Sequence, residues 1–413
     1  MLIVFVLLIS ACTPKTAETD EPTEVVVMEE VTEEPTEEGI TGDRMPCVTV
    51  YDYEVSPETA QYQSVVDQQP PVTEDDWIYG NPDAPITFVE YEDFQCPACP
   101  SFSLGVKQLI SQYPDSIRVV FRHLPLPSIH DKAYISSLAA EAAGVQGKFW
   151  EMHDILYTMQ SQWTNLSEAD FVDWVVAQAE TLGLDIDQLG EDMYDKDARA
   201  ELEETTVERL SMGLNYTPFV VLNDRLFRDG NPGISSLIGI HEFEGYQECP
   251  AWVIEEGKSY TAKIETNVGE IEMELFADVA PLAVNSFVFL AQNGWYDDVY
   301  FHRVVEDFVA QAGDPSGTGF AGPGYTFANE TDNDLSFDRK GILGMANSGV
   351  DMNGSQVFIT LDAATDLDGG YTIFGEVKES SLAVLDEIVR RDPSTAVDFE
   401  EATQILGVEI IED

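Results

Sequence analysis

The stretch APITFVEYEDFQCPACPSFSLGVKQLISQYP, residues 84–114, constrains the fold of this chain more than any other. Its first part is β-branched and aromatic and reads as a strand. After the cysteines, apolar residues recur at helical spacing and stop at Pro114. A second strand, SIRVVFRHLPL, follows and completes a β-α-β pattern. Cys96 and Cys99 therefore sit where a strand feeds a helix N-terminus, and the unpaired N–H groups and helix dipole there stabilise a thiolate. A Cys-x-x-Cys in that place is a redox signal; the bland alternative is a permanently closed Cys96–Cys99 staple. A zinc site is disfavoured, because the remaining cysteines, Cys12, Cys47 and Cys249, stand alone and the histidines show no ligand spacing. No metal or other cofactor is implied.

A chain of 413 residues exceeds one typical core and divides into two or three domains. Its 77 acidic against 20 basic residues leave a net charge of -57, which repels phosphate and argues against nucleic-acid partners. The same surface suits a saline setting, or a generally acidic secreted protein. The apolar run Leu2–Ala11 is too short for a bilayer, which takes about 20 residues, and reads as a signal peptide over residues 1–11. The sequence ISAC resembles the lipobox of bacterial lipoproteins, which implies lipid on Cys12 and an extracytoplasmic, membrane-anchored chain. A basic n-region is missing, and a plain cleaved signal is the alternative. Residues 12–70 read as the lipidated cysteine and a spacer, most plainly disordered in the Glu-, Thr- and Pro-rich part from Thr13 to Gly42. With Cys12 set aside, four cysteines remain, an even number for a disulfide-permissive compartment.

FQCPACP after a strand, then VVFRHLPL, a long helical stretch from about Ile129 to Leu210, and GLNYTPFVVLNDRLF together resemble a DsbA-type thioredoxin-fold oxidoreductase. The resemblance implies an α/β thioredoxin fold with a helical insertion over residues 71–240. Ser167 is the expected N-cap of one inserted helix. The resemblance makes Cys96 the more exposed, attacking cysteine and Cys99 the resolving one. Thr217–Pro218 aligns with the family's cis-proline, which binds substrate backbone. Ala98 stands where DsbA has a thiolate-stabilising histidine, so the direction of electron flow stays open. Cys47 and Cys249 bracket this domain and read as a structural disulfide clamping its two ends, with a second redox pair as the alternative.

Beyond a linker at residues 241–257 the pattern changes. TAKIETNVGEIEMELF alternates about a Gly-containing turn, and many short strands with Gly-rich turns suggest a closed barrel. YFHRVVEDFVAQAGDPSGTG, GILGMANSGVDMNGSQVFIT and LDGGYTIFGEV, in that order, resemble cyclophilin-type peptidyl-prolyl isomerases over residues 258–413. The implied fold is an eight-stranded antiparallel barrel with two capping helices. An X–Pro bond turns slowly because amide resonance must break, a barrier of about 20 kcal/mol. The resemblance makes Arg303 the donor to the prolyl nitrogen and Gln311 the holder of the substrate carbonyl region. Phe308, Val309, Phe358 and Leu367 become the apolar pocket, and Ala346 and Asn347 the segment that binds peptide backbone. Val309 replaces a common methionine, and Tyr371 replaces a histidine while still offering a ring to the pocket. Asp366 replaces a tryptophan of human-type members, which implies poor cyclosporin affinity.

Disulfide exchange and proline isomerisation both slow the folding of exported proteins. The sequence thus points to an extracytoplasmic foldase whose partners are exported chains with Cys and X–Pro bonds and a membrane redox protein. The alternatives are a thiol reductase or disulfide isomerase carrying an isomerase module, and a non-catalytic binder of Pro-containing chains. TDLDGG and DIDQLGED lack a full calcium-ligand pattern and read as acidic turns.

Overall fold

The computed structural model describes residues 44–51, 57–227, 233–392, 399 and 401–412. Residues 1–11, Cys12 and the acidic stretch to residue 43 lie outside the described residues. In chain order the elements are β1 (Val48–Thr49), α1 (Pro57–Val66), β2 (Trp77–Gly80), β3 (Ile86–Glu92), α2 (Cys99–Gln112) and β4 (Ile117–His123). Next come α3 (Ala133–Val145), α4 (Phe149–Thr158), α5 (Gln160–Trp163), α6 (Glu168–Leu182), α7 (Ile186–Met193), α8 (Lys196–Met212), β5 (Phe219–Leu222) and β6 (Arg225–Leu226). The rest are α9 (Gly233–Glu242), β7 (Tyr260–Thr266), β8 (Gly269–Leu275), α10 (Pro281–Gln292), β9 (Arg303–Val304), β10 (Val309–Ala312), β11 (Tyr325–Thr326), β12 (Ile342–Asn347), β13 (Asn353–Thr360), β14 (Ile373–Val377) and β15 (Ile405–Glu412). Two compact units result. One takes the described residues 57–227; the other takes 44–51 together with those from 233 onward.

The first unit is a five-stranded sheet in the order β2-β4-β3-β5-β6, with β3 and β4 parallel and the other pairs antiparallel. Side chains alternate along β3. Val89 and Tyr91 pack with Val65 and Val66 of α1 on one face, while Phe88 meets Phe102 of α2 on the other. Helices α3 to α8 form the insertion between β4 and β5. Phe149, Leu156, Trp163, Phe171 and Leu189 from these helices share one apolar cluster with Cys96 and Cys99. Ser167 caps α6, its Oγ accepting the Asp170 N–H at 3.2 Å.

The second unit is an eight-stranded antiparallel sheet in the order β15-β7-β8-β14-β12-β13-β10-β9. It curls until its ends meet, where Phe301 N–H donates to the Thr403 carbonyl at 2.9 Å and Ile405 N–H to Val299 at 2.7 Å. The helix α10 starts on Pro281 and buries Phe287, Val288 and Leu290 in the barrel core. The second expected capping helix is instead two 3₁₀ turns, Glu379–Ser381 and Val384–Glu387. Leu382, Leu385 and Ile388, the residues that reach the core there, are spaced three apart, the period of a 3₁₀ turn.

Segments read from sequence as spacer and linker carry structure. In the span 12–70, α1 belongs to the first unit, while residues 44–51 join the second, where β1 pairs with β11 and Met45 is buried in the barrel core. In the span 241–257, Ile254 is buried, and the Val253 and Ile254 N–H groups donate to Asn285 Oδ1. Each segment holds enough apolar surface to bury, which outweighs the acidic character of its surroundings. Helix α9 packs in the same unit so closely that a Cβ on Gly239 would overlap the Gly322 carbonyl oxygen. Cys47 and Cys249 are bonded across a separation of 202 residues. Both segments so joined lie in the barrel unit, so the bond does not clamp the ends of the cysteine-pair domain as expected.

Candidate active sites

Helix α2 starts at Cys99, with Ala98 as its N-cap and no side-chain cap, leaving its first N–H groups free for an anion. Cys96 lies just ahead of that end. The Cys96 thiol faces the Thr217 carbonyl, with Sγ 3.4 Å from the oxygen, and the Thr217–Pro218 peptide bond is cis. A hydrogen bond from the Cys99 thiol pulls the Cys96 pKa down to about 6; burial opposes this, and the Thr217 side chain and the Ala98 and Cys99 N–H groups add to it. The Thr217 hydroxyl is buried and has no other partner among the described residues, which leaves it to the Cys96 sulfur. Burial pushes the Cys99 thiol well up. The two thiols thus differ strongly in acidity. Exposure does not distinguish them: both are 0% exposed, and only Pro97 between them lies open.

Beneath the pair lie residues the sequence reading passed over. Glu90 and Glu92 share the inner face of β3 and are fully buried. Burial pushes Glu90 up to about 8 and Glu92 well above the carboxylate range. Tyr157 of α4 donates its hydroxyl to Glu92 Oε2 at 2.5 Å, while Oε1 and both Glu90 oxygens have no partner among the described residues. Glu92 lies within electrostatic reach of both thiols. Gln160 of α5 fixes the turn, its Nε2 donating to the Phe94 carbonyl at 2.8 Å and the Cys96 carbonyl at 2.7 Å. The available signal was the two glutamates at alternate positions of a strand otherwise apolar on its inner face.

The second site is a groove on the barrel. Register places Arg303 of β9 opposite Gln311 of β10, and Gln311 opposite Phe358 of β13. Val309, Phe358, Phe337, Ile342 and Ile373 form a separate small apolar cluster, edged by half-buried Phe308, Ala346, Leu367 and Tyr371. Tyr371 meets Phe358 edge-on at 5.7 Å, and Phe337 backs Phe358 at 5.3 Å. The Arg303 guanidinium stands 5.7 Å from the Phe308 ring centroid, and burial draws its pKa down from the guanidinium value without discharging it. Gln311 Nε2 donates to Gln356 Oε1 at 2.9 Å, and Gln356 Nε2 to the Gly319 carbonyl at 2.9 Å, so Gln356, absent from the sequence reading, fixes the Gln311 amide. Asn347 lies at the end of β12 and donates from Nδ2 to the Gly370 carbonyl at 3.1 Å. An apolar cup with a guanidinium and an amide on its rim suits a proline ring whose amide is to be twisted.

Fold and groove define a barrel of the peptide-binding isomerase class, set in one chain with a thioredoxin-like domain. A family model described as cyclophilin type peptidyl-prolyl cis-trans isomerase matches residues 261–410, and one described as thioredoxin matches residues 72–238. The peptidyl-prolyl cis-trans isomerase of Helicobacter pylori is 42% identical over 143 residues, 34% of this chain and 88% of that protein. One from Dictyostelium discoideum is 45% identical over 127 residues, 30% of this chain and 81% of the relative. Other relatives are much longer: the chain spans 23% of a peptidyl-prolyl cis-trans isomerase-like 2 of Rhizopus delemar, at 49% identity. A solved cyclophilin type isomerase of Cryptosporidium parvum is 33% identical, covers 38% of this chain and 99% of its own, and has a TM-score of 0.35. Through its barrel the chain belongs to the cyclophilin-type peptidyl-prolyl cis-trans isomerases.

Proposed function

We propose that the chain is an extracytoplasmic foldase that exchanges disulfides at Cys96–Cys99 and isomerises X–Pro bonds at the Arg303 groove. The observation that carries the thiol half is the Cys96 sulfur at the mouth of α2, facing Thr217 beside the cis Pro218. An extended client strand pairing with the Thr217 backbone would bring its own sulfur to Cys96. At the groove, Phe308, Val309, Phe358, Leu367 and Tyr371 would hold the proline ring, and Ala346 and Asn347 the preceding backbone. Arg303 would donate to the prolyl nitrogen as it pyramidalises, and Gln311 would hold the carbonyl region.

The Cys96 pKa of about 6 bears on redox direction. It falls between the values of about 7 for thioredoxin and about 3.5 for DsbA, which favours exchange and reshuffling over strong oxidation. Clients would be exported proteins, and a membrane redox protein would reset the pair. Among the described residues no helix is long and apolar enough to cross a membrane. Attachment would fall to lipid on Cys12 after removal of residues 1–11.

The test is refolding of a reduced protein whose recovery needs both disulfides and a slow X–Pro bond. Cys96→Ser should abolish the gain in disulfide formation and spare the proline phase; Arg303→Ala should do the reverse. A wild-type chain that accelerates neither phase sinks the proposal and leaves a binder of Pro-containing chains.

A further inference from the structure

The segment between β4 and α3 is bound to the turn that presents Cys96. Asp93 stands three residues before Cys96, and its carbonyl accepts the Cys96 N–H at 2.9 Å. The Asp93 carboxylate is fully buried and accepts the N–H groups of Gln95 and Leu126, each at 2.8 Å. It also holds His130 Nδ1 at 2.8 Å. Gln95 ties the same two segments again: its Nε2 donates to Asp131 Oδ1 at 2.7 Å, and its Oε1 accepts the Lys132 N–H at 2.8 Å. Four hydrogen bonds thus lock His130 and its neighbours to the Cys96 turn, through Leu126, His130, Asp131 and Lys132. The His130 side chain is 11% exposed, so its imidazole lies at the solvent edge of this network.

We propose that His130, locked by Asp93, is the cationic partner of the Cys96 thiolate, and that its protonation controls how fast Cys96 exchanges disulfides. The inference rests on the reading of Cys96–Cys99 as an exchanging pair. Burial works against the charged imidazole, but Asp93, the Cys96 sulfur and Asp131 outweigh it and hold the His130 pKa above the usual range. Cys96 itself is faced by the Cys99 thiol and α2 N–H groups, by Thr217 before β5, by Glu92 of β3 and by Tyr157 of α4. Of these, the neutral donors titrate outside the neutral range and the buried acid opposes the thiolate. His130 is drawn to the Cys96 sulfur electrostatically, and among these described residues its charge is the one that would favour the thiolate and change near neutrality.

In exchange, a second client thiolate attacks the client sulfur of the Cys96 mixed disulfide. The client S–S bond forms, the bond to Cys96 breaks, and Cys96 leaves with the electron pair as a thiolate. The pair has then been reduced and the client oxidised. An imidazolium tied through Asp93 to the Cys96 turn speeds that departure electrostatically, and run backwards it supplies more attacking thiolate.

The experiment is alkylation of Cys96 in the reduced full-length chain, mapped by mass spectrometry against pH. Wild type should show an inflection from the thiol and one from a histidine, beside any from the buried Glu90 and Glu92, which every variant keeps. His130→Gln keeps a neutral donor for Asp93 and should lose the histidine inflection. Its thiol midpoint should rise by about one pH unit, roughly a tenfold loss of thiolate below that midpoint. His130→Lys should restore the low midpoint without the histidine inflection, which a merely structural role would not do. An unchanged midpoint in the glutamine variant overturns the proposal. If that variant fails to fold, a histidine inflection surviving in His130→Lys overturns it equally. Failure of the exchange reading looks different: wild type then alkylates with both inflections but exchanges with no client disulfide.

Discussion

Replacing Glu90 by glutamine should make the first unit more stable in alkaline solution and barely change it in acid. Glu90 is fully buried on β3, neither carboxylate oxygen has a partner among the described residues, and burial pushes its pKa up to about 8. The folded chain therefore keeps a proton on Glu90 that the unfolded chain releases near 4.5. Between those values the native state binds more protons, so stability falls as pH rises, and the whole penalty is present above about pH 8. The span from 4.5 to about 8, at 1.36 kcal/mol for each pH unit, sets an upper limit of about 5 kcal/mol. Relaxation and water entry bring the expected effect to about 2–4 kcal/mol. Glutamine keeps the shape and removes the charge. Urea unfolding at several pH values, read at β3 and β4 by hydrogen exchange, separates this unit from the barrel. Glu90→Gln should match wild type within about 1 kcal/mol at pH 5 and exceed it by about 2–4 kcal/mol at pH 9. Glu92 stays in both proteins, so only the difference between them is diagnostic. A difference independent of pH would refute the assignment of Glu90 as a proton-holding acid.

In a prolyl-peptide assay, Arg303→Ala should lower isomerisation about 100-fold or more, the usual scale for removing one transition-state donor, and leave thiol exchange intact. Unchanged isomerisation would take Arg303 out of the mechanism. Replacing Cys47 and Cys249 together by serine should destabilise the barrel unit and spare the first, as read by hydrogen exchange in each. For a separation of 202 residues the chain-entropy limit is about 5 kcal/mol, and the enclosed unit folds on its own chain and shortens the effective loop, so about 2–4 kcal/mol is expected. With a net charge of -57, thermal stability should rise as salt is raised from low to physiological ionic strength; a flat profile would mean the acidic groups are spaced too widely to strain the fold.

What the sequence made legible is what local periodicity and ordered motifs encode. Cys96 and Cys99 could be placed at a strand–helix junction because β3 and α2 announce themselves within a few residues. The groove residues from Arg303 to Tyr371 were reached through the resemblance of three ordered motifs to cyclophilins. Long-range placement was not legible. Tyr157 lies 65 residues from the Glu92 it serves, and only the tertiary fold brings the two together. The loop that brings His130 to Asp93 is likewise a tertiary fact. Cys47 and Cys249 flank the first unit in sequence, yet β1, Met45 and Ile254 bury their surface in the barrel, so flanking position misled. The second cap was expected as a helix only from the cyclophilin resemblance, and the spacing of three among Leu382, Leu385 and Ile388 that suits a 3₁₀ turn was not read.

The central claim is that Cys96–Cys99 is an exchanging pair and not a staple. Its equilibrium reduction potential, measured with Cys47–Cys249 intact, tests this most directly. A pair with Cys96 near 6 should fall between thioredoxin's value of about -270 mV and DsbA's of about -120 mV. A potential below about -300 mV, the range of structural disulfides, would contradict the account.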